Sequence, residues 1–253
     1  MKRIIIILLL FCTPVFSQNI NWYADGDVYT TTTCEDGADI ILPQTPTKKG
    51  YAFKGWKFVT PIEYLESTGT QYIDTGYKLQ TENIKMEIRF VKLDYDSGAI
   101  IGTSNTRQDS NWFTIYFNTS SFLYAIGTTS SGQKSFSLYT LTDVKLETFS
   151  NHSFISTVNG NITNGTWNGS FLVTTMGNVL LYSMPYGTGH ATWNLSARIY
   201  SAKIYDNDIL VRDMVPVLDS DGIPCMYDKV TNQIFYNNGT GQFIAGPVVE
   251  TNL

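Results

Sequence analysis

The amino-acid sequence predicts an all-β antiparallel sandwich, and three observations carry this prediction. Aromatic residues are abundant, with 16 Tyr, 14 Phe and 5 Trp in 253 residues, and they favour pleated sheets. Charged residues make up only 15% of the chain, which argues against a disordered protein. Residues 85–93 alternate apolar and polar side chains, which is the period of a half-buried strand. Helical periodicity is weak everywhere and is only hinted at in residues 61–66.

The predicted strands are short and follow one another through turns, as in a sandwich. The Asn159-Gly160 pair predicts a tight hairpin turn between two of them. About a dozen strands are predicted, at residues 85–93, 112–117, 122–126, 144–147, 154–158, 171–174, 179–184, 197–205, 209–215, 225–227, 234–236 and 243–245.

The N-terminus has the pattern of a secretory signal peptide. A basic Lys2-Arg3 start precedes an apolar run at residues 4–11, and small Ser17 closes the segment. The apolar run is too short for a membrane anchor, which needs about 20 residues. We therefore expect residues 1–17 to be removed and the mature protein to begin at Gln18. It would then be secreted, periplasmic or on the cell surface, without inserting into a membrane.

Net charge bears on nucleic acid as a partner, and cysteine content bears on disulfide formation. Removal of Lys2 and Arg3 changes the formal net charge from −5 to −7, and no basic patch remains for nucleic acid. Two cysteines survive processing, Cys34 and Cys225. An oxidising compartment would allow a disulfide between them, although two buried thiols are the favoured interpretation. The sequence carries no signal for an oligomeric state.

Residues 18–60 predict a small N-terminal β module. Asp25-Gly26 is typical of a hairpin turn between strands at 21–23 and 28–30. Further on, residues 48–56 read KKGYAFKGW, which resembles the internalin-type, or Listeria–Bacteroides, repeat. That resemblance implies a β-rich module of exported bacterial surface proteins. The aromatic side chains of this stretch predict a small core against Ile40 and Leu42, formed by Tyr51, Phe53 and Trp56. The alternative is a hairpin packed on the main domain.

Residues 61–248 predict the main sandwich, and several of their segments resemble concanavalin A-like, laminin-G-type domains of exported bacterial proteins. The segments are YLESTGTQYIDTG at 64–76, ARIYSAKIYD at 197–206, LVRD at 210–213, MYDKV at 226–230 and FYNNGTG at 235–241. The resemblance implies a jelly-roll of two curved antiparallel sheets. It also implies binding of glycans or proteins, sometimes through calcium.

Catalytic and metal-binding patterns are weak. Glycoside hydrolysis needs two carboxylates at close range, and no such pair falls on an aromatic strand. Two scattered histidines and two distant cysteines do not suit zinc. Calcium is an alternative at the Asp94–Asp96 and Asp219–Asp221 turns. Neither turn has a full calcium ligand set, so ordinary Asp/Gly turns are favoured.

Glycan recognition requires aromatic faces beside amide and hydroxyl groups. Two loops have this composition, 161–169 and 182–194, and the stretch 104–112 flanks them. Trp112 fits a strand pattern, so a core position is favoured for it. Trp167 is the strongest single candidate. The predicted ligand-binding residues are Trp167, Asn164, Asn168, Tyr186, His190 and Trp193.

These observations favour an exported, non-catalytic binding or adhesion protein for glycans or another cell-surface polymer. The alternative is a structural or protein-interaction component of the bacterial envelope. A glycoside hydrolase or lyase is the least favoured of the three hypotheses.

Overall fold

The computed structural model describes residues 17–24, 27–35, 38–53, 58–105, 111–119, 121–127, 129–134, 136–168, 173–185 and 193–249. Apart from Ser17, the predicted signal peptide lies outside these residues. By internal contacts the chain divides into two units, residues 1–56 and 57–253. Thr60-Pro61, where the sequence predicts the boundary, forms a short strand within the second unit.

The described residues form nineteen strands and one 3₁₀ turn, Val173–Thr175. The strands are β1 (Ser17–Ala24), β2 (Asp27–Glu35), β3 (Thr60–Pro61), β4 (Leu65–Thr68), β5 (Ile73–Asp74), β6 (Ile84–Lys92), β7 (Gly98–Ser104), β8 (Trp112–Phe117), β9 (Phe122–Gly127), β10 (Thr129–Lys134), β11 (Leu141–Phe149), β12 (Ser153–Val158), β13 (Asn161–Thr166), β14 (Leu180–Leu181), β15 (Ser196–Asp206), β16 (Ile209–Leu218), β17 (Pro224–Asp228), β18 (Gln233–Phe235) and β19 (Ile244–Ala245).

The first unit contains the predicted hairpin. β1 and β2 pair antiparallel from Ser17↔Glu35 to Ala24↔Asp27, with a bulge after Trp22. The Trp22 side chain is buried, and its Nε1 donates a hydrogen bond to Thr32 Oγ1 at 2.8 Å. Strand structure within this unit ends at Glu35 in the described residues.

The predicted small core of the first unit is not formed by the side chains that the structure describes. Tyr51 is 72% exposed and Leu42 56% exposed, and Phe53 and Ile40 are exposed as well. These residues lie in segment 38–53, which has no strand pairing among the described residues. Its turn hydrogen bonds run from Ala38 N–H to the Glu35 carbonyl and from Tyr51 N–H to the Lys48 carbonyl. A two-stranded ribbon has too little apolar surface to bury them. Trp56 lies outside the described residues.

The second unit is an all-β antiparallel sandwich, which confirms the predicted fold class. One sheet has six strands in the order β10-β9-β8-β7-β14-β5. The other has eleven strands, with the main order β13-β12-β11-β6-β15-β16-β17-β18 and with β3, β4 and β19 attached at its side. Within each of these two sheets, all the strand pairings are antiparallel.

The core lies between the two sheets and follows the alternation of the strands. Met86, Ile88 and Phe90 of β6 point into it from the larger sheet, and Phe113 and Ile115 of β8 face it from the smaller one. The predicted hairpin after β12 is confirmed, since Val158 pairs with Asn161 across Asn159 and Gly160, which both have positive φ. This is the conformation of a tight two-residue turn.

The smaller sheet is also covered on its outer face. Every residue of β7 and β9 is buried, and so are five of the six residues of β8. A second apolar cluster on that outer face is formed by Ala99, Tyr116, Leu123, Ala125 and Met184, with Trp112 and Trp193 packed against it. The sequence missed β7 because a strand that is buried on both faces loses its alternation.

The two ends of the sandwich unit are held together by backbone and amide hydrogen bonds. Asn237 Oδ1 accepts from Tyr72 N–H at 3.2 Å, and Asn238 Oδ1 accepts from Asp74 N–H at 3.0 Å. Thr240 N–H donates to the Thr70 carbonyl at 3.1 Å. Segments 64–76 and 235–241, which carry the family resemblance, thus brace each other.

Candidate ligand-binding site

The structure corrects the prediction of an exposed Trp167. This side chain is 1% exposed and belongs to the core between the sheets. Its ring stacks on His152 with centroids 4.2 Å apart and planes 17° from parallel. The stretch predicted as its loop is the edge strand β13, which is polar, so the sequence concealed it. Trp167 follows β13 directly and turns inward, whereas Asn164 and Asn168 are exposed.

Trp193 lies elsewhere, on the outer face of the smaller sheet. It is half-buried against Tyr116, with ring centroids 5.4 Å apart. Trp112 is half-buried on the same face and packs against the same outer cluster. We call Trp112, Tyr116 and Trp193 the outer aromatic cluster. Tyr186 and His190, the other predicted residues of this loop, lie outside the described residues.

The strand register explains how the outer aromatic cluster is placed. Phe113, Ile115 and Phe117 of β8 belong to the core between the sheets, so Trp112 and Tyr116 face outward on the alternating strand. These two positions are four residues apart, which is about 13 Å along a strand. The cluster is therefore extended along β8.

Small side chains and backbone hydrogen bonds hold Trp193 over this face. Tyr116 pairs with Ala99 of β7 and Leu123 of β9, and the small alanine leaves room for a covering segment. The Trp193 N–H donates to the Met184 carbonyl at 3.1 Å. Its own carbonyl accepts from Ala99 N–H at 3.0 Å. Both backbone groups of Trp193 are thus fixed, and the indole is held against Tyr116.

Amide and hydroxyl groups neighbour the outer aromatic cluster, both along the sequence and across the paired strands. Ser183 Oγ donates to Asn194 Oδ1 at 2.7 Å, next to Trp193. At the other end, Asn105 N–H donates to the Asn111 carbonyl at 3.2 Å, one step beyond the Ser104↔Trp112 pair. The buried Asn105 Oδ1 has no hydrogen-bond partner among the described residues. The arrangement offers apolar faces together with polar groups that can bind hydroxyls.

At the two aspartate turns, carboxylate oxygens accept hydrogen bonds from the protein itself. Asp219 Oδ1 accepts from the N–H groups of Asp221 and Ile223, both at 2.9 Å, and its Oδ2 accepts from Tyr236 Oη at 2.8 Å. Asp94 Oδ1 accepts from Lys92 Nζ at 2.5 Å. The protein's own donors therefore bind both oxygens of Asp219 and one oxygen of Asp94. In the described part of the chain, no three His, Cys, Asp or Glu residues cluster as metal ligands.

Cys34 and Cys225 lie in different units, and each is a thiol in the structure. Cys225 is buried in β17, where its Sγ contacts the Val217 carbonyl at 3.7 Å. Cys34 is half-buried, and its Sγ lies 3.5 Å from the carbonyl oxygens of Glu35 and Ala38. Each thiol has a hydrogen-bond acceptor within its own unit, but only Cys225 is buried, as the two-buried-thiol interpretation requires.

Ion pairs on the sandwich hold other motif residues in structural roles. Arg198 Nε donates to Glu66 Oε2 at 2.6 Å, and its guanidinium lies 4.5 Å from the Tyr64 ring centroid. The hydrogen bond to Glu66 raises the pKa of Arg198. Burial raises the pKa of Tyr182 far above its ordinary value, and its hydroxyl donates to the Leu65 carbonyl. These contacts brace β4 against its neighbours.

Comparisons with known proteins place the chain only in part. Residues 19–85 match a family model described as the Listeria–Bacteroides repeat domain. This match supports the predicted repeat module and extends into the first strands of the sandwich unit. No curated protein matches the chain significantly, and the described residues contain no helix long and apolar enough to cross a membrane.

One solved structure shares the sandwich fold at a TM-score above 0.5, and others match more weakly. A Bacteroides ovatus ATCC 8483 protein, named as a candidate carbohydrate-binding protein, matches with TM-score 0.51 and 12% identity, over 86% of this chain and 68% of that one. The Ruminococcus gnavus sialidase module CBM40, bound to α2,3-sialyllactose, matches with TM-score 0.42 and 11% identity, over 56% and 89%. The Streptococcus pneumoniae NanB sialidase, as its K499G mutant, matches with TM-score 0.46 and 13% identity, over 75% and 39%.

Another NanB structure matches over 59% of this chain, with TM-score 0.46 and 18% identity, and this chain covers only 27% of it. Identities at this level describe the fold alone. The chain therefore joins a segment similar to the Listeria–Bacteroides repeat domain to a β-sandwich with the fold of the candidate carbohydrate-binding protein from Bacteroides ovatus.

Proposed function

We propose that the protein is an exported, non-catalytic binding or adhesion protein for glycans or another cell-surface polymer, and that its ligand binds at the outer aromatic cluster. The observation that carries this proposal is the pair of half-buried indoles, Trp112 and Trp193, on the outer face of the smaller sheet. The jelly-roll, laminin-G-like character of the sandwich is part of the same proposal.

The chemistry of the cluster favours a sugar polymer. Sugar rings present C–H faces that pack on aromatic rings and hydroxyls that bind amides. The indoles of Trp112 and Trp193 supply such apolar surfaces, and Asn105 and Asn194 supply amides near the two ends. Because Trp112 and Tyr116 are about 13 Å apart along the strand, an extended oligosaccharide suits the face better than a monosaccharide.

Three further observations support the proposal. The Bacteroides ovatus protein of the same fold is named as a candidate carbohydrate-binding protein. The basic Lys2-Arg3 start and the apolar run that follows support export. Glu66, a carboxylate that could otherwise serve hydrolysis, is paired with Arg198 at 2.6 Å.

A glycan array tests the proposal. The mature full chain should bind at least one glycan, and the array should include neutral oligosaccharides and sialyllactose. Trp193→Ala should weaken binding of the same glycan, whereas Tyr95→Ala, at an aromatic that is 62% exposed outside the cluster, should not. Incubation with each ligand found should release no new reducing ends.

Two outcomes would overturn this function. An array without any bound glycan would favour the envelope-component hypothesis. New reducing ends from a bound polysaccharide would favour the hydrolase or lyase hypothesis.

A further inference from the structure

The sandwich unit contains a cavity that the proposed glycan site does not use. Its volume is about 160 Å³, and its lining comes from both sheets. The apolar part of the lining consists of phenylalanines and Val158, while a lysine and several hydroxyl and amide groups form the rest. Four phenylalanines and one lysine of the lining carry the argument: Phe90, Lys92, Phe117, Phe122 and Phe136.

The lysine of this cavity stands at a core position. Lys92 continues the row of β6 that points Ile88 and Phe90 into the core, and its side chain is only 1% exposed. A buried ammonium is costly unless it is paired and hydrogen-bonded. Lys92 therefore needs partners inside the protein or in the cavity.

Only part of that need is met. Lys92 Nζ donates to Asp94 Oδ1 at 2.5 Å and lies 5.6 Å from the Phe117 ring centroid. An ammonium has three N–H donors, and no other hydrogen bond from this group is found within the described residues. The two remaining donors are available to a hydrogen-bond acceptor in the cavity.

The aromatic walls set the size and shape of a ligand. The Phe117 and Phe136 rings meet edge to face with centroids 4.8 Å apart, and Phe90 approaches Phe117 in the same way at 5.7 Å. An engineered protein cavity of about 150 Å³ with apolar walls binds benzene. A cavity of about 160 Å³ can therefore hold one aromatic ring.

We propose that this cavity binds a small aromatic alcohol of the phenol class. The ring would pack among the phenylalanines, and the hydroxyl oxygen would accept a hydrogen bond from Lys92. An aromatic hydrocarbon offers the lysine no acceptor. An aromatic carboxylate brings a second negative charge beside Asp94.

Titrations of phenol, toluene and benzoate into the mature full chain, followed by amide NMR shifts, test this proposal. Phenol should bind saturably and shift residues that line the cavity. Toluene should bind about tenfold more weakly, which is the effect of losing one hydrogen bond to a charged group. Benzoate should also bind more weakly, because its carboxylate would lie close to the negative charge of Asp94. No saturable binding of phenol, or equal binding of phenol and toluene, would overturn the proposal.

Two variants sharpen the test. Lys92→Met keeps an apolar chain of similar length, so phenol should lose its advantage over toluene. Val158→Phe places a ring at the cavity wall, so phenol binding should disappear. If Lys92→Met does not fold, the wild-type ligand series and the Val158→Phe variant still test whether phenol binds in this cavity. Phenol binding that persists unchanged in folded Val158→Phe would contradict this location, whereas Trp193→Ala should leave phenol binding intact.

Discussion

Two tryptophans that look alike in the sequence have opposite roles in the structure. Trp167 and Trp193 each sit in a stretch of Asn, Thr and Gly. Trp167 is 1% exposed and stacks on His152, whereas Trp193 is half-buried on the outer face of the smaller sheet. Composition cannot separate the two, because burial depends on which strand or sheet face the neighbouring backbone joins.

Trp167→Ala should destabilise the sandwich by about 3–5 kcal/mol, since it empties a large buried volume. Urea unfolding measures this change. Trp193→Ala is the matched control and should cost clearly less, because that side chain is only partly buried. Equal losses for the two variants would contradict the different burial of these residues.

A partly buried hydrogen bond at Tyr77 predicts a pH dependence of stability. Its hydroxyl donates to Asp206 Oδ2 at 3.0 Å. Burial, then this bond and the charge of Asp206, raise the pKa of Tyr77 to about 12. The folded state therefore favours the protonated phenol, and the unfolded chain ionises near pH 10. This stabilisation is complete below about pH 10 and is lost as pH rises through about 12.

Urea midpoints of the wild type and of Tyr77→Phe at pH 9 and pH 12 test that assignment. The stability advantage of the wild type should shrink between the two pH values, because the phenylalanine variant has no group to ionise there. A constant difference would mean that Tyr77 does not carry the predicted titration.

At the scale of strands, the alternation of apolar and polar residues and the turn residues predicted those strands that have one solvent-exposed face. The pattern at residues 85–93 corresponds to β6, and Asn159-Gly160 forms the turn between β12 and β13. β7 escaped prediction because it is buried on both faces, and β13 because an exposed edge strand can be mostly polar. The outer aromatic cluster was predicted only through Trp193. Trp112 lies in a strand pattern that favours a core position. The outer face of the smaller sheet is covered by Trp193, which is far from β7 and β8 in the sequence, so local patterns could not predict this contact.

The contact between segments 70–72 and 237–241 makes Gly239 irreplaceable. A Cβ at this residue would lie 2.0 Å from the Thr70 carbonyl oxygen, so Gly239→Ala must push the two segments apart. We expect a lower thermal midpoint for this variant. Gly177→Ala is the control, because its Cβ would meet nothing nearer than 3.4 Å. Equal midpoints for the two variants would contradict the close approach.

At the scale of the whole molecule, the proposed protein is exported and binds a polymer at the cell surface. The formal net charge of −5 becomes −7 without Lys2 and Arg3, and this charge disfavours nucleic acid as a partner. The aromatic residues serve two purposes in the described part of the sandwich, since nine of them are buried in the core between the sheets and three, Trp112, Tyr116 and Trp193, lie on the outer face of the smaller sheet.

Export has its own test at this scale. Expression of the full chain in a bacterial host should yield protein outside the cytoplasm with Gln18 as its first residue, and intact-mass analysis measures this. A chain that keeps residues 1–17 and stays in the cytoplasm would refute the signal-peptide prediction.

The central claim is that ligand binds on the outer aromatic cluster, and the most direct measurement is the affinity of the best array glycan for four proteins. Calorimetric titration should show that Trp112→Ala and Trp193→Ala each weaken binding about tenfold or more, since each removes an aromatic contact face. Tyr95→Ala should bind like the wild type, and all four should remain folded. Unchanged affinity in both folded tryptophan variants would contradict the account.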